Sequence, residues 1–139
     1  MGLFGKKPEK KALFACIENA GRSQMAEGFF RKYAPKGWSV MSGGTVPKSY
    51  VNPLAIQVMK EVGIDISNHK AKIISEDQIR TADLKVNMGC MNTTACPSLI
   101  LGSYVDWGIE DPKDKPIEKV REIRDQIEIR VKELVKGLT

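Results

Sequence analysis

Residues 11–30, KALFACIENAGRSQMAEGFF, join three different patterns in one short stretch. Lys11–Ile17 (KALFACI) is a short apolar run, which is typical of a strand buried on both faces. From Ser23 to Tyr33, apolar side chains recur near helical spacing, and serine is a residue type that caps helices. We therefore predict a buried strand, then a loop that ends at Arg22, then an amphipathic helix that Ser23 caps.

The rest of the chain alternates between the same two patterns. Strands that alternate with helices indicate βαβ units and a parallel sheet covered on both faces. We predict one α/β domain at residues 11–139, with three αβα layers around a central four-stranded parallel sheet. Residues 1–10 are predicted to be a flexible basic tail. The elements predicted after Tyr33 are strands at Trp38–Ser42, Leu84–Met88 and Ser103–Trp107, and helices that begin at Asn52-Pro53, after Ser75 and at Pro116.

Composition and charge exclude several classes of protein. The net charge of +5 comes partly from lysines of the N-terminal tail, and no aromatic residues alternate with them as in a nucleic-acid-binding stripe. No window reaches the roughly 18 apolar residues of a transmembrane helix, and the N-terminus lacks the apolar segment of a signal peptide. We expect a cytoplasmic monomer that binds neither nucleic acid nor membrane. An odd count of three cysteines is then expected to be reduced rather than paired in a disulfide framework.

The loop after the first predicted strand has the composition of an anion site. Parallel sheets bind ligands at the carboxyl ends of their strands, and Cys16 lies at such an end. A helix N-terminus attracts anions, and the guanidinium of Arg22 matches two oxygens of a tetrahedral oxyanion. Ser23 can donate a hydrogen bond to the sulfur, and the positive surroundings favour the reactive thiolate. The alternative is that Cys16 is one more small buried side chain. We predict Cys16 as a nucleophile, with an oxyanion cradle formed by Ile17, Glu18, Asn19, Ala20, Gly21 and Arg22.

Two further cysteines, Cys90 and Cys96, follow another predicted strand. The five residues between them, MNTTA, are polar and lack proline, as in a loop that can change conformation. A zinc site needs four ligands, and these two cysteines with the single histidine, His69, supply three. Two inert thiols and a redox pair are the other interpretations.

The stretch Cys16–Phe29 resembles the phosphate-binding loop of the low-molecular-weight protein tyrosine phosphatase superfamily. Later segments are similar to the thioredoxin-coupled arsenate reductases of that superfamily. The resemblance extends over nearly the whole chain after the basic tail, and it implies the phosphatase-like αβα fold. The similar segments are Ser42-Gly43-Gly44, Val51-Asn52-Pro53, Met59–His69, Ala82–Cys90, Cys96-Pro97, Asp106-Trp107, Asp111-Pro112 and the last helix.

The resemblance assigns a role to each matching residue. Cys16 corresponds to the cysteine that attacks arsenate, Arg22 to the arginine that binds the oxyanion, and Asn19 to the asparagine that shapes the loop. Ser23 corresponds to the serine that stabilises the thiolate. Asp111 corresponds to the general acid, which is expected to lie over the loop rather than pair with Arg22. Without the resemblance, the local sequence indicates that Asp111 is an ordinary turn aspartate before proline.

The resemblance also implies a relay of three thiols. Cys90 attacks the sulfur of Cys16, arsenite leaves, and Cys96 then resolves the Cys16–Cys90 disulfide. Thioredoxin or a similar dithiol protein is expected to supply the electrons. No bound cofactor and no metal are expected, because the sequence has neither a GxGxxG nor an HExxH pattern.

The sequence leaves two alternative functions open. One is a low-molecular-weight phosphatase that hydrolyses phosphomonoesters through a cysteinyl-phosphate, and the other is a non-catalytic oxyanion-binding or redox-sensing module. Phosphatases of this fold commonly carry aromatic residues after the Asp-Pro dipeptide. Lys113 and Asp114 stand there in this chain, which favours a small inorganic oxyanion.

Two residues depart from the pattern of the relatives. Glu18 brings a carboxylate to the anion site, where it would repel arsenate if it turned inward, so we expect it to point to solvent. Some relatives bind potassium through residues that correspond to Asn19, Glu27 and Ser42 and through an aspartate, at whose position this chain has Lys72. We predict that the Lys72 ammonium takes the place of the ion and that no potassium is required.

Overall fold

The computed structural model describes residues 9–89, 102 and 104–138. β1 begins at Lys10, one residue before the predicted domain boundary. Of the predicted basic tail, Glu9 and Lys10 are described, and residues 1–8 lie outside the described residues. In chain order the elements are β1 (Lys10–Cys16), α1 (Arg22–Tyr33), β2 (Trp38–Gly44), α2 (Pro53–Glu61), α3 (Glu76–Thr81), β3 (Leu84–Asn87), β4 (Val105–Asp106) and α4 (Ile117–Lys136).

The four described strands form one parallel sheet in the order β2-β1-β3-β4. The register pairs Cys16 with Gly44 across β1 and β2, and Ala15 with Asn87 across β1 and β3. Asn87 in turn pairs with Asp106 of β4. The carboxyl ends of all four strands therefore meet at one edge of the sheet, with the end of central strand β1 in the middle. The predicted α/β class and four-stranded parallel sheet are confirmed.

The larger core lies between one face of the sheet and helices α1 and α4. Phe14 of β1 is fully buried there, with its ring centroid 5.7 Å from that of Phe30 and 5.6 Å from that of Trp107. Ile123 and Ile127 of α4 pack into the same cluster. Burying each such side chain contributes about 1.5–3 kcal/mol, so this core helps to hold β1 in place.

The opposite face of the sheet has a smaller core under α3. Leu13 and Ala15 are fully buried there with Ile74, whereas Phe14 and Cys16 project to the larger core. Alternation along a strand explains this division, and burial on both faces explains why β1 reads as an unbroken apolar run.

The structure corrects the predicted start of α1, confirms the predicted cap of α2 and gives a shorter β4. α1 begins at Arg22 with Gly21 at its N-cap position and no side-chain cap, so the prediction that Ser23 caps the helix is wrong. Ser23 lies inside the first turn, and its hydroxyl hydrogen-bonds to a cysteine sulfur instead. Asn52 does cap α2 as predicted, because its side chain accepts the N–H of Leu54. β4 comprises only two residues of the predicted strand Ser103–Trp107.

In the part of the chain that the structure describes, no helix combines the length and apolar character needed to cross a membrane.

Candidate active site

The loop between β1 and α1 turns its carbonyl groups away from Cys16. In a planar trans peptide the next residue's N–H points opposite to the carbonyl. The N–H groups of Glu18, Asn19 and Gly21 therefore point to the concave side of the loop, which makes a cradle for an anion. Three outward carbonyls accept N–H bonds from the segment after β2: Ile17 from Val46 at 2.8 Å, Glu18 from Lys48 at 3.0 Å and Ala20 from Asn52 at 2.7 Å.

Cys16 lies at the bottom of this cradle, at the end of β1. The Asn19 N–H donates to its sulfur at 3.2 Å, and the Ser23 hydroxyl lies 2.9 Å from the sulfur. Because the Ser23 oxygen already accepts the Asn19 side-chain amide at 2.7 Å, its own proton is available for the sulfur. Two hydrogen-bond donors are therefore directed at one buried sulfur and hold it at the bottom of the cradle.

Asn19 is fully buried and has a φ of 51°, in the left-handed region that is rare outside glycine. Four hydrogen bonds hold it there. Its Nδ2 donates to Ser23 at 2.7 Å and Ser42 at 3.1 Å, and its Oδ1 accepts from Gln24 at 2.9 Å and the Lys72 N–H at 3.0 Å. The side chain thus fills its whole hydrogen-bonding capacity and fixes the shape of the loop.

Arg22 connects the loop to the ends of the neighbouring strands. Its Nη1 donates to the carbonyls of Gly89 and Ile109, both at 2.8 Å, and the residue is only 6% exposed. Its Nη2 lies 3.8 Å from Oδ2 of Asp111. The expectation that Asp111 does not pair with Arg22 is therefore wrong, because the opposite charges attract at the mouth of the cradle. At this distance the contact is an ion pair without a hydrogen bond, and the Asp111 side chain stays half exposed.

The segment that carries Asp111 packs directly on the loop. A Cβ on Gly21 would lie 3.0 Å from Cγ of Pro112, so only glycine permits this approach without displacement. Oε2 of Glu18 lies 3.5 Å from Nζ of Lys113, and the Glu18 side chain is 28% exposed. The expectation that Glu18 points to solvent is thus met only in part, because its carboxylate faces a lysine.

A polar cluster supports the loop from below. The Ser42 hydroxyl donates a short hydrogen bond to Oε1 of Glu27, and Nζ of Lys72 lies 3.2 Å from the same hydroxyl and 3.8 Å from Oε1. Burial works to raise the pKa of Glu27, but hydrogen bonds from Ser42 and Arg31 and the Lys72 charge bring it below its ordinary value. Glu27 is therefore ionised at neutral pH, and the Lys72 ammonium lies beside Glu27 and Ser42. That no potassium is required stays a prediction.

Gln24 and His69 extend this network, and no sequence pattern predicted their contacts in it. Gln24 is fully buried and bonds to Asn19, and its Oε1 lies 2.9 Å from Nδ1 of His69. Nη1 of Arg31 can only donate to Nε2 of His69, at 3.2 Å, so Nδ1 carries the proton. Burial lowers the pKa of His69, opposed by Glu27 and assisted by Arg31. Both ring nitrogens have partners, which speaks against His69 as a zinc ligand.

Two cavities flank the loop. One of about 250 Å³ is lined by residues that include Gly21, Tyr50 and Asp111. The other, of about 430 Å³, is lined by residues that include Arg22 and Gly89. Among residues 9–89, 102 and 104–138, no group of three or more acidic, histidine or cysteine side chains is arranged to hold a metal ion.

Residues 11–139 match the model of the low molecular weight phosphotyrosine protein phosphatase family. The chain belongs to this family. Arsenate reductase of Staphylococcus aureus (strain Newman) is 40% identical over 124 residues, which cover 88% of this chain and 94% of that protein. Arsenate reductase 2 of Staphylococcus haemolyticus has the same identity and coverage. The resemblance to the arsenate reductases of this family is confirmed.

Solved structures of family members agree with the fold. A thioredoxin-dependent arsenate reductase of Corynebacterium glutamicum superposes with a TM-score of 0.77 at 34% identity, covering 98% of this chain and 65% of that one. An arsenate reductase in a phosphate-binding state gives 0.80 at 34% identity, covering 94% of this chain and 99% of that one. The predicted phosphatase-like fold is confirmed.

The structure brings Cys16, Asn19, Arg22 and Ser23 of this family member together, with Asp111 at the mouth of the cradle. Cys90 and Cys96 lie outside the described residues, so their predicted roles remain predictions. The contributions of Gln24 and Lys113 were missed. A polar residue within the apolar run of α1 was the one sequence signal for Gln24, and nothing local signals the contact of Lys113 with the loop.

Proposed function

We propose that this chain is an arsenate reductase. The observation that carries the proposal is the cradle of inward N–H groups around the Cys16 sulfur, with the guanidinium of Arg22 at its edge. Such a site binds a tetrahedral oxyanion and presents it to a nucleophile. The names of the relatives at 40% identity specify arsenate as the oxyanion.

In the first step, the Cys16 thiolate attacks arsenic. A sulfur–arsenic bond forms and an arsenic–oxygen bond breaks, while Asp111 gives its proton to the departing oxygen, which leaves as water. Arg22 and the loop N–H groups bind the remaining oxygens. The half-exposed position of the Asp111 side chain at the mouth of the cradle supports this role.

In the second step, the Cys90 thiolate attacks the sulfur of Cys16. A disulfide forms, and the electron pair of the sulfur–arsenic bond stays on arsenic, which leaves as arsenite in the +3 state. Cys96 then attacks Cys90 and releases the Cys16 thiolate. Arg22 donates to the carbonyl of Gly89 at 2.8 Å, so the carboxyl end of β3 lies beside the cradle. The roles of Cys90 and Cys96 in these exchanges rest on the resemblance to the arsenate reductases.

A dithiol protein of the thioredoxin type completes the cycle by reducing the Cys90–Cys96 disulfide. The similar Corynebacterium glutamicum enzyme is described as thioredoxin-dependent, which supports this partner. All the groups used belong to one chain, so a monomer suffices. Reduced resting thiols suit a cytoplasmic location.

The coupled assay with thioredoxin, thioredoxin reductase and NADPH tests the proposal. Arsenate should start NADPH oxidation with the wild type, and replacing Cys16, Cys90 or Cys96 with serine should abolish multiple turnover. Arsenate bound without NADPH oxidation would contradict the proposal and indicate a non-catalytic oxyanion-binding module.

The phosphatase alternative has one observation in its favour. The cavity of about 250 Å³ beside Asp111 is far larger than a leaving hydroxide requires and has room for an organic leaving group. Steady turnover of p-nitrophenyl phosphate that survives Cys90→Ser and Cys96→Ser, without arsenate-dependent NADPH oxidation, would favour a phosphatase.

A further inference from the structure

Three consecutive residues of the acid segment, 111–113, contact the oxyanion loop at three separate points. Asp111 faces Arg22 at 3.8 Å, Pro112 occupies the space above Gly21, and Lys113 faces Glu18 at 3.5 Å. The first two contacts involve residues that the loop needs for binding and shape. The third joins two charged side chains that the reaction itself does not use.

A chain of contacts begins and ends on the oxyanion loop: it runs from Glu18 through Lys113 and Asp111 to Arg22. The Lys113 ammonium faces the Glu18 carboxylate, and the Lys113 backbone N–H donates to Oδ1 of Asp111 at 3.0 Å. The other carboxylate oxygen of Asp111, Oδ2, faces Nη2 of Arg22. The Lys113 backbone N–H therefore holds one oxygen of Asp111, while the Lys113 ammonium pairs with Glu18 of the loop.

This chain of contacts opposes a competing position of the Asp111 carboxylate. A shift of about 1 Å would bring the Asp111 carboxylate into a charge-assisted hydrogen bond with Arg22. It would then cover the guanidinium edge that the oxyanion needs and leave the position over the departing oxygen. The hydrogen bond from the Lys113 N–H to the other oxygen of Asp111 opposes that shift.

We infer that Glu18 and Lys113 form a latch that positions Asp111 over the cradle as general acid. The inference rests on the proposed function, because it takes Asp111 as the acid of that reaction. It explains why a carboxylate is tolerated beside an anion site: the facing ammonium compensates its charge. The side chains of Glu18 and Lys113 position the acid, and neither side chain is required to touch the substrate, which Glu18 meets only through its backbone N–H.

The expected effect is modest because both side chains are partly exposed, 28% for Glu18 and 50% for Lys113. Exposed ion pairs of this kind are screened by solvent, so we expect a loss of about two- to fivefold in the rate of the acid-assisted step. High ionic strength should produce a similar loss in the wild type and none in the variants.

The experiment measures arsenite formation in a single turnover, without thioredoxin, over a range of arsenate concentrations. Glu18→Gln and Lys113→Met should each lower the saturating rate about two- to fivefold and leave the half-saturating concentration unchanged. The charge-exchanged variant Glu18→Lys/Lys113→Glu should recover most of the rate. Lys119→Met is the matched control, because Lys119 pairs with Glu110 at 3.2 Å on the other side of the acid segment.

A double-mutant cycle separates positioning from a general structural role. Asp111→Asn should slow the reaction about 10²–10⁴-fold and still leave a measurable rate. In that background Glu18→Gln should have no further effect, because the latch acts only through Asp111. Glu18→Gln effects of equal size in both backgrounds would overturn the inference. So would a lower half-saturating arsenate concentration at an unchanged saturating rate, which would mean that Glu18 only repels the substrate.

A wild type that forms no arsenite would refute the proposed function and leave the latch open to the same test by another reaction. Hydrolysis of p-nitrophenyl phosphate uses the same acid without Cys90 and Cys96. The same two- to fivefold pattern, its rescue by charge exchange and its absence in the Asp111→Asn background are expected there. Equal losses in both backgrounds would overturn the latch.

Discussion

Gly44 gives the sharpest test of how the sheet shapes the oxyanion loop. It ends β2 opposite Cys16, and a Cβ there would lie 2.5 Å from the Ile17 carbonyl oxygen. The same Cβ would lie 2.9 Å from the Asn19 nitrogen and 3.0 Å from the Glu18 carbonyl carbon. All three are backbone atoms, so no side-chain rotation relieves the overlap. Because carbon and oxygen approach to about 3.3 Å, Gly44→Ala must displace the loop or the strand by about 0.8 Å.

The displacement predicts losses of both stability and activity. Overpacking of this kind costs about 1–3 kcal/mol, which corresponds to a fall of about 3–10 °C in Tm for a chain of this length. A misplacement near 1 Å at the reacting groups costs about 100-fold in rate. Thermal unfolding and single-turnover arsenite formation measure the two effects.

Gly137→Ala is the matched control for the same substitution. Among the described residues, its Cβ would meet only the Leu134 carbonyl oxygen at 3.5 Å, an ordinary contact, and its φ of −76° suits alanine. This variant should keep the wild-type Tm and rate. If Gly44→Ala behaves like Gly137→Ala, the account of how β2 supports the loop is wrong.

Three further predictions follow from the site. Ser23→Ala removes a donor to the thiolate and should slow alkylation of Cys16 by iodoacetamide at pH 7 about tenfold, so an unchanged rate would refute the role of Ser23. Because the Lys72 ammonium lies 3.2 Å from Ser42, arsenate reduction should run equally fast in potassium and sodium salts, and clear potassium activation would contradict this. Because folding lowers the pKa of His69, the imidazole of the unfolded chain takes up a proton at a higher pH than that of the folded chain, near the ordinary value of 6.5. The free energy of unfolding should therefore decrease from pH 7 to pH 5, and less steeply in His69→Gln; equal slopes would contradict the burial of a neutral His69.

Local sequence patterns were sufficient for the strand, loop and helix around Cys16. The apolar run of β1 and the spacing from Cys16 to Arg22 each reflect interactions between residues close in the chain. The same holds for the Asn52 cap of α2. The helical spacing of apolar residues predicted α4, because these residues form one face of the helix over many turns.

Contacts between distant segments could not be read in this way. Glu18 and Lys113 are 95 residues apart in sequence, and only the packing of the acid segment on the loop brings them together. The ion pair of Arg22 with Asp111 depends on the same packing. Ser23 was given two roles, as the helix cap and as a donor to the sulfur, and only the packing of the loop decides that its hydroxyl lies against the sulfur.

The stoichiometry of arsenite released without any external reductant tests the three-thiol account most directly. One arsenite should form per chain, while the free thiols fall from three to one. Cys96→Ser should still release one arsenite, because Cys90 alone completes the first exchange, and Cys90→Ser should release none. A wild type that keeps all three thiols and yields no arsenite would contradict the account.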